Sequence, residues 1–194
     1  IKTGAGTLSL NGSGSWTGGT IINGGELWLN ATGILPSSGP VTINHTDGGA
    51  RAYLRLGDNV SQSIGALTFG GQGAGSSSTN ELELRNGSVL TLGGNVTVSA
   101  TGNALTAMIS GAGTLALGGN RTFDIGGSST AMTGLAVATV ISGVNQSITK
   151  IGTGTLKLGD ANTYSGGTVV SAGGLVASNE TGSGVGTGSL MIQS

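Results

Sequence analysis

The stretch from Asn44 to Asn59, NHTDGGARAYLRLGDN, holds the densest set of groups able to do chemistry. It carries His45, the single histidine of the chain, with Asp47, Arg51, Tyr53, Arg55 and Asp58. In an extended strand Arg51, Tyr53 and Arg55 share one side, because side chains two apart point the same way. Two guanidinium groups beside a phenol ring suit an anionic polysaccharide, through charge, forked hydrogen bonds and ring contacts. The same spacing also suits the polar outer face of a strand next to a loop. If the chain binds a ligand through its own surface, these three residues are the candidates.

Other patterns are weaker. Glu81 and Glu83 fall on one side of a strand about 7 Å apart, a spacing from which a glycosidase pair can be built. They alternate with Leu82 and Leu84 and precede Arg85, the ordinary arrangement of solvated charges on an outer strand. GGQGAG from Gly70 begins like a calcium-binding β-roll loop, but Gly75 stands where the aspartate is needed. One histidine among 23 serines is thin support for a nucleophile triad. Neither a dinucleotide nor a phosphate-loop fingerprint is present. The expectation is no enzyme, no cofactor and no metal.

The elements that position these residues must be short strands. The chain has 41 glycines, 23 serines, 25 threonines and only 8% charged residues, against about 25% charged in ordinary domains. Apolar residues recur as i, i+2 pairs: Leu8/Leu10, Leu27/Leu29, Leu54/Leu56, Leu82/Leu84, Leu90/Leu92, Leu115/Leu117, Leu156/Leu158 and Leu190/Ile192. Each pair buries one side of a strand. Glycine doublets such as Gly93-Gly94 and Gly118-Gly119 then turn the chain. Seven scattered Lys and Arg residues give none of the clustered positive charge that nucleic acid binding needs. The longest mostly apolar stretch, Leu135 to Ile141, is far short of the ~20 residues of a membrane span. There is no cysteine, so neither disulfides nor thiolate metal sites exist. A chain opening on Ile1 without a signal-peptide pattern reads as a segment of a longer protein.

The strands repeat. GAGTLSLNGSGSWTGGT from Gly4 returns as GTGTLKLGDANTYSGGT from Gly152, with Thr7 and Thr155 148 residues apart. Nine residues after each threonine comes an aromatic, Trp16 or Tyr164, then Gly-Gly-Thr. A partial copy puts Phe123 nine residues after Thr114. LTFGG at Leu67, LTLGG at Leu90 and LALGG at Leu115 step by 23 and 25 residues, and the 41 from Leu115 to Leu156 reads as two shorter coils. Like phrases at this interval argue for a solenoid over a sandwich, because a solenoid stacks like on like. The expected fold is all-β, a parallel β-helix of roughly eight coils of ~20–25 residues; at ~4.8 Å per rung it is a rod of about 40 Å. The aromatics are expected to cover the glycine corner of their own coil.

The stretch from Gly152 to Ser178 resembles the autotransporter-associated β-strand repeat, also called the passenger-associated transport repeat. The pattern is G-x-G-x-L-x-L, a polar turn with Asn-x-aromatic, Gly-Gly-Thr and a second glycine turn. Copies fall at 4–30 and 152–178, with the partial one at 111–127, and residues 131–150 resemble the lead-in to such repeats. The N-terminal copy departs in having Ser15-Trp16 for Thr163-Tyr164 and no asparagine at the place of Asn162. The resemblance implies a right-handed β-helix, residues 1–194 forming one segment of a secreted or cell-surface bacterial passenger. It implies a stalk that aids passenger folding and export and has no enzymatic role. The partners expected are neighbouring repeats of the same chain, with no nucleic acid and no membrane insertion by this segment. The alternative is an adhesin binding glycan or host matrix through Arg51, Tyr53 and Arg55. Nine of 13 asparagines open Asn-x-Ser/Thr. Glycosylation would use that pattern, but so would an asparagine turn followed by a resuming strand.

Overall fold

The computed structural model describes residues 1–46, 51–71, 79–99, 105–127 and 133–193. Among the described residues the regular elements are all strands. They are β1 (Thr7–Leu10), β2 (Thr20–Ile22), β3 (Gly25–Leu29), β4 (Val41–Ile43), β5 (Ala52–Leu56), β6 (Ser61–Ile64), β7 (Leu67–Phe69), β8 (Asn80–Leu84) and β9 (Val89–Leu92). They continue as β10 (Val96–Val98), β11 (Ala107–Leu117), β12 (Arg121–Ile125), β13 (Leu135–Ser142), β14 (Ser147–Ile151), β15 (Thr155–Leu158), β16 (Gly167–Val170), β17 (Gly174–Ala177) and β18 (Leu190–Ile192).

Leaving β6 and β9 aside, successive strands alternate between two faces. β1, β3, β5, β8, β11, β13, β15 and β17 stack in that order as one parallel sheet; β2, β4, β7, β10, β12, β14, β16 and β18 form the other. Each coil gives one strand to each face, so the described residues make eight coils of a parallel β-helix, as expected. A third, narrower face runs through β6, β9 and the second halves of β11 and β13, with Gln62, Leu90, Leu115 and Ile141 in one row.

The alternating leucines make the core. Leu8, Leu27, Leu54, Leu82, Ile109, Val137 and Leu158 form one inward column, one residue per rung. From Leu27 to Leu158 this column is buried, and each such side chain contributes about 1.5–3 kcal/mol on leaving water. Leu8 at one end is 44% exposed, and Leu190 and Ile192 at the other are 47% and 73% exposed. They occupy core positions on end rungs.

Coil length differs from the sequence estimate. Leu8 pairs with Leu27 and Leu156 with Leu175, both 19 residues apart. In the middle the separations grow, as from Leu54 to Leu82 or from Leu67 to Val96. Two further expectations are corrected. Leu67 stacks between Val41 and Val96 on the second face; the residue beneath Leu90 is Gln62. The step from Leu115 to Leu156 does not follow one row, since Leu115 stacks on the third face and Leu156 pairs with Leu135 and Leu175 on the first. A sequence interval carries no information about which face a strand joins. Buried Gln62 is tolerated because its side-chain amide bonds both the N–H and the C=O of Leu35.

Candidate functional site

β3, β5 and β8 carry the charged stripe on the outer side of the first face. Registry lines up Trp28, Arg55 and Glu83 in one column and Glu26, Tyr53 and Glu81 in the next. Arg51, Tyr53 and Arg55 do lie together. The Arg51 guanidinium sits 4.2 Å from the centre of the Tyr53 ring and that of Arg55 4.9 Å from it, with Trp28 5.2 Å from Arg55. Tyr53 is therefore buried between two cations, only 4% exposed, and its ring is not a free stacking platform.

The charges are answered within the stripe. Arg55 Nη1 is 2.8 Å from Glu26 Oε1, and its Nε donates to Glu83 Oε2 at 2.6 Å. The Tyr53 hydroxyl also bonds Glu83. Arg51 reaches Glu26 at 3.7 Å, and its side chain stays 45% exposed. Burial, and then the bond to Glu83, push the Tyr53 hydroxyl up to about 12. Burial works to raise Glu83, but its bonds from Tyr53 and Arg55 outweigh this and hold the carboxyl below its ordinary value. That is the opposite of what a catalytic acid needs. Glu81 accepts a bond from Ser110 at 2.8 Å. Three carboxylates thus face two guanidinium groups, so the stripe does not offer a net positive surface to an anionic polymer.

The remaining groups of the Asn44–Asn59 stretch separate. His45 is buried after β4, with its backbone N–H donating to Asn80. Asp47 and Gly75 lie outside the described residues. Asp58 pairs with Arg85 at 3.2 Å. Among the described residues no group of three or more His, Asp or Glu is arranged to hold a metal ion.

A second constellation escaped the sequence reading. The Lys150 ammonium donates to the carbonyls of Ile151, Gly152 and Ala172 at 2.7, 2.8 and 3.0 Å. The Lys2 ammonium donates to those of Thr3, Gly4 and Gly24 at 2.8, 2.8 and 2.9 Å. Each lysine clips its own glycine loop to the glycine turn of the next coil, 22 residues on. The loop residues Gly4 and Gly152 have φ of +73° and +76°, and the turn residues Gly25 and Gly173 have +69° and +70°. A side chain at Gly173 would meet the carbonyl oxygens of Gly152 and Gly154 at 2.4 Å. Burial lowers the pKa of Lys150, with the Asp124 carboxylate pulling the other way. The signal was present: Lys2 and Lys150 are 148 residues apart, two residues upstream of the repeated glycines.

The aromatics of the two copies part company. Tyr164 is buried, its ring filling the space where Gly186 lacks a side chain. Its hydroxyl is 2.6 Å from Thr168 Oγ1, which donates to the Val185 carbonyl at 2.9 Å. The corner it covers belongs to the following coil, which corrects the expectation that it covers its own. Trp16 lies against Gly14 of its own coil and stays 40% exposed. Several of the Asn-x-Ser/Thr asparagines serve the ladder. Asn95 accepts from the Thr122 N–H and Asn120 from the Ser147 N–H, each one coil along, while Asn59 and Asn145 adopt the left-handed turn conformation.

Stacked inward aliphatic rows, glycine corners and side chains bonding from coil to coil define a β-solenoid in which neighbouring rungs hold one another. Two of its segments, residues 1–29 and 148–177, match the model of the passenger-associated-transport-repeat family. Both matched segments contain a lysine clip. No curated protein and no solved structure matches the chain.

Proposed function

We propose that this chain is a non-enzymatic β-helical segment of a secreted or cell-surface bacterial passenger. It acts as an extended stalk and aids folding of the passenger during export. The observation that carries this reading is the unbroken parallel stacking of eight rungs on both faces. Each rung contacts only its neighbours, so such a column can form rung by rung as chain emerges. The passenger-associated-transport repeats at 1–29 and 148–177 supply the association with export. The absence of cysteine removes premature cross-links from that process. The partners in this reading are neighbouring coils. Most basic groups are already engaged, in the two clips, the outer ion pairs, and the bond from Arg121 to the Leu92 carbonyl. Electron microscopy of the purified chain tests the reading: a rod of about 40 Å is expected, and a compact globule overturns it.

The second reading is an adhesin using Arg51, Tyr53 and Arg55. One observation favours it: the Arg51 guanidinium is half exposed above a ring that holds it in place. A glycan array probed with wild type and with Arg51→Ala decides it, because no binding by wild type removes the reading.

A further inference from the structure

The third side of the helix is not uniform. In the coils of β5, β8, β11 and β13 it is built from strand, beginning with β6. In the coil of β3 and β4 it is the irregular stretch 34–38, in which Ile34 and Leu35 are both buried. Neighbours in an extended strand point to opposite sides, so two successive inward residues mean that the chain here sinks toward the core. A notch of about 430 Å³ opens beside it on the surface, against β6 and β9. That volume falls within the range of small-ligand sites, about 300–1,000 Å³.

The notch lies along an unfinished edge of β6. Val89 donates its N–H to the Val60 carbonyl and Gly93 to that of Ile64. Alternate residues of a strand bond the same parallel neighbour, so Ser61 and Ser63 turn their backbone groups the other way. Ser61 finds partners there. Its N–H donates to Thr32 Oγ1 and its carbonyl accepts from the Gly33 N–H, both at 3.1 Å. The Ser63 carbonyl accepts from the Gln62 side-chain amide, which also brackets Leu35. The Ser63 N–H has no partner among the described residues and faces the notch.

The side chains match this donor. Ser61, Ser63 and Thr91 point outward, because Gln62, Leu90 and Leu92 point inward. With Ser37 they bring four hydroxyls to the notch, none of them bonded to another group among the described residues. Leu35 and Pro36 add a small apolar floor, and no charged side chain lines the space. Hydroxyls both donate and accept, so such a lining suits the hydroxyls of a neutral sugar, with the C–H face of the ring on Leu35 and Pro36. An extended peptide needs a run of open backbone groups, and this edge offers one. An anionic polymer finds no cation here.

We propose that the notch binds a neutral mono- or disaccharide unit of a glycan, held by Ser37, Ser61, Ser63 and Thr91, with the Ser63 N–H donating to a sugar oxygen. The site lies on the third side, apart from Arg51, Tyr53 and Arg55 on the first face. It goes beyond the stalk reading, since it gives the flank of the rod a ligand of its own.

The test is an amide-resonance titration of the isotope-labelled full chain. The probes are neutral mono- and disaccharides of glucose, galactose, mannose and N-acetylglucosamine, with galacturonate as the anionic probe. Expected is saturable binding of at least one neutral sugar, the Ser63 amide moving most. Ser63→Ala combined with Thr91→Val is expected to weaken that binding at least about tenfold. Ser63→Phe, which fills the notch from an outward strand position, is expected to abolish it, and Arg51→Ala to leave it unchanged. Thermal melts check that the variants fold; if Ser63→Phe melts early, the double variant decides alone. No saturation by any neutral sugar up to tens of millimolar overturns the proposal. So does binding that survives loss of the hydroxyls or that Arg51→Ala removes, since the site is then elsewhere, and so does binding of galacturonate alone. The stalk reading stands or falls separately, on the shape of the chain in micrographs.

Discussion

The Lys150 ammonium lies 3.0 Å from the carbonyl oxygen of Ala172, one coil further along. With the Ile151 and Gly152 carbonyls it closes a three-acceptor clip that ties two rungs of the helix. Removing the donor leaves partly buried carbonyls unanswered. Lys150→Met is expected to destabilise the chain by about 2–4 kcal/mol, read by urea denaturation. Lys2→Met, at the open end where water reaches the freed carbonyls, is expected to cost under about 1 kcal/mol in the same measurement.

The glycine turn that receives the clip is equally specific. Gly173→Ala combines a positive φ with a collision against two carbonyl oxygens, so a loss of about 2–4 kcal/mol is expected. A side chain at Gly12 meets nothing within 4 Å, and Gly12→Ala is expected to stay within about 0.5 kcal/mol of wild type. Parallel thermal melts check the pair.

Tyr164 and Trp16 occupy the same place in the repeat but not the same environment. Tyr164→Ala is expected to cost about 3–5 kcal/mol, as for other buried aromatics. Trp16→Ala is expected to cost about 1 kcal/mol or less. Equal losses in denaturant titrations would show that the repeat position, not its cover, sets the energetics.

Both tyrosines of the chain, Tyr53 and Tyr164, have hydroxyls pushed up, first of all by burial. A folded-state value above the unfolded one means the unfolded chain loses its proton first. Stability is therefore whole below about 10 and falls as pH rises toward the folded value, about 12 for Tyr53. Spectrophotometric titration should show less tyrosinate near pH 10 in the folded chain than in the unfolded one, and a cooperative rise when the chain unfolds.

Glu83 works at the other end of the scale. Its carboxyl is held below the ordinary value by Tyr53 and Arg55 against the effect of burial. The unfolded chain then binds a proton first as pH falls, and the contribution of Glu83 is lost through the window below about 4.5. Glu83→Gln is expected to flatten the acid limb of the stability profile. An unchanged acid limb would show that other carboxylates set it.

The outer stripe shows how far residue spacing carries. Alternation in AYLRL placed Tyr53 and Arg55 on one side and Leu54 and Leu56 on the other, and the fold keeps that division. Spacing within one strand says nothing of Glu26 on β3 and Glu83 on β8, 27 and 30 residues from Tyr53. Those two carboxylates turn a positive stripe into a closed set of ion pairs. The lysine clips were legible in principle, because the repeat continues two residues upstream of its glycines. What was not legible was their geometry, since an ammonium beside glycines in sequence can as well point into water.

By itself, then, the order of residues determined the strand grammar, the eight coils, the glycine corners and the two repeat copies. These follow from local alternation and from φ values that only glycine adopts without strain. The tertiary structure alone decided which face each strand joins, which carboxylates meet the arginines, and why Tyr164 is buried while Trp16 is exposed. All three depend on the coil above or below, and contact between residues some 20–30 apart is set by the stacking register, not by the neighbours along the chain.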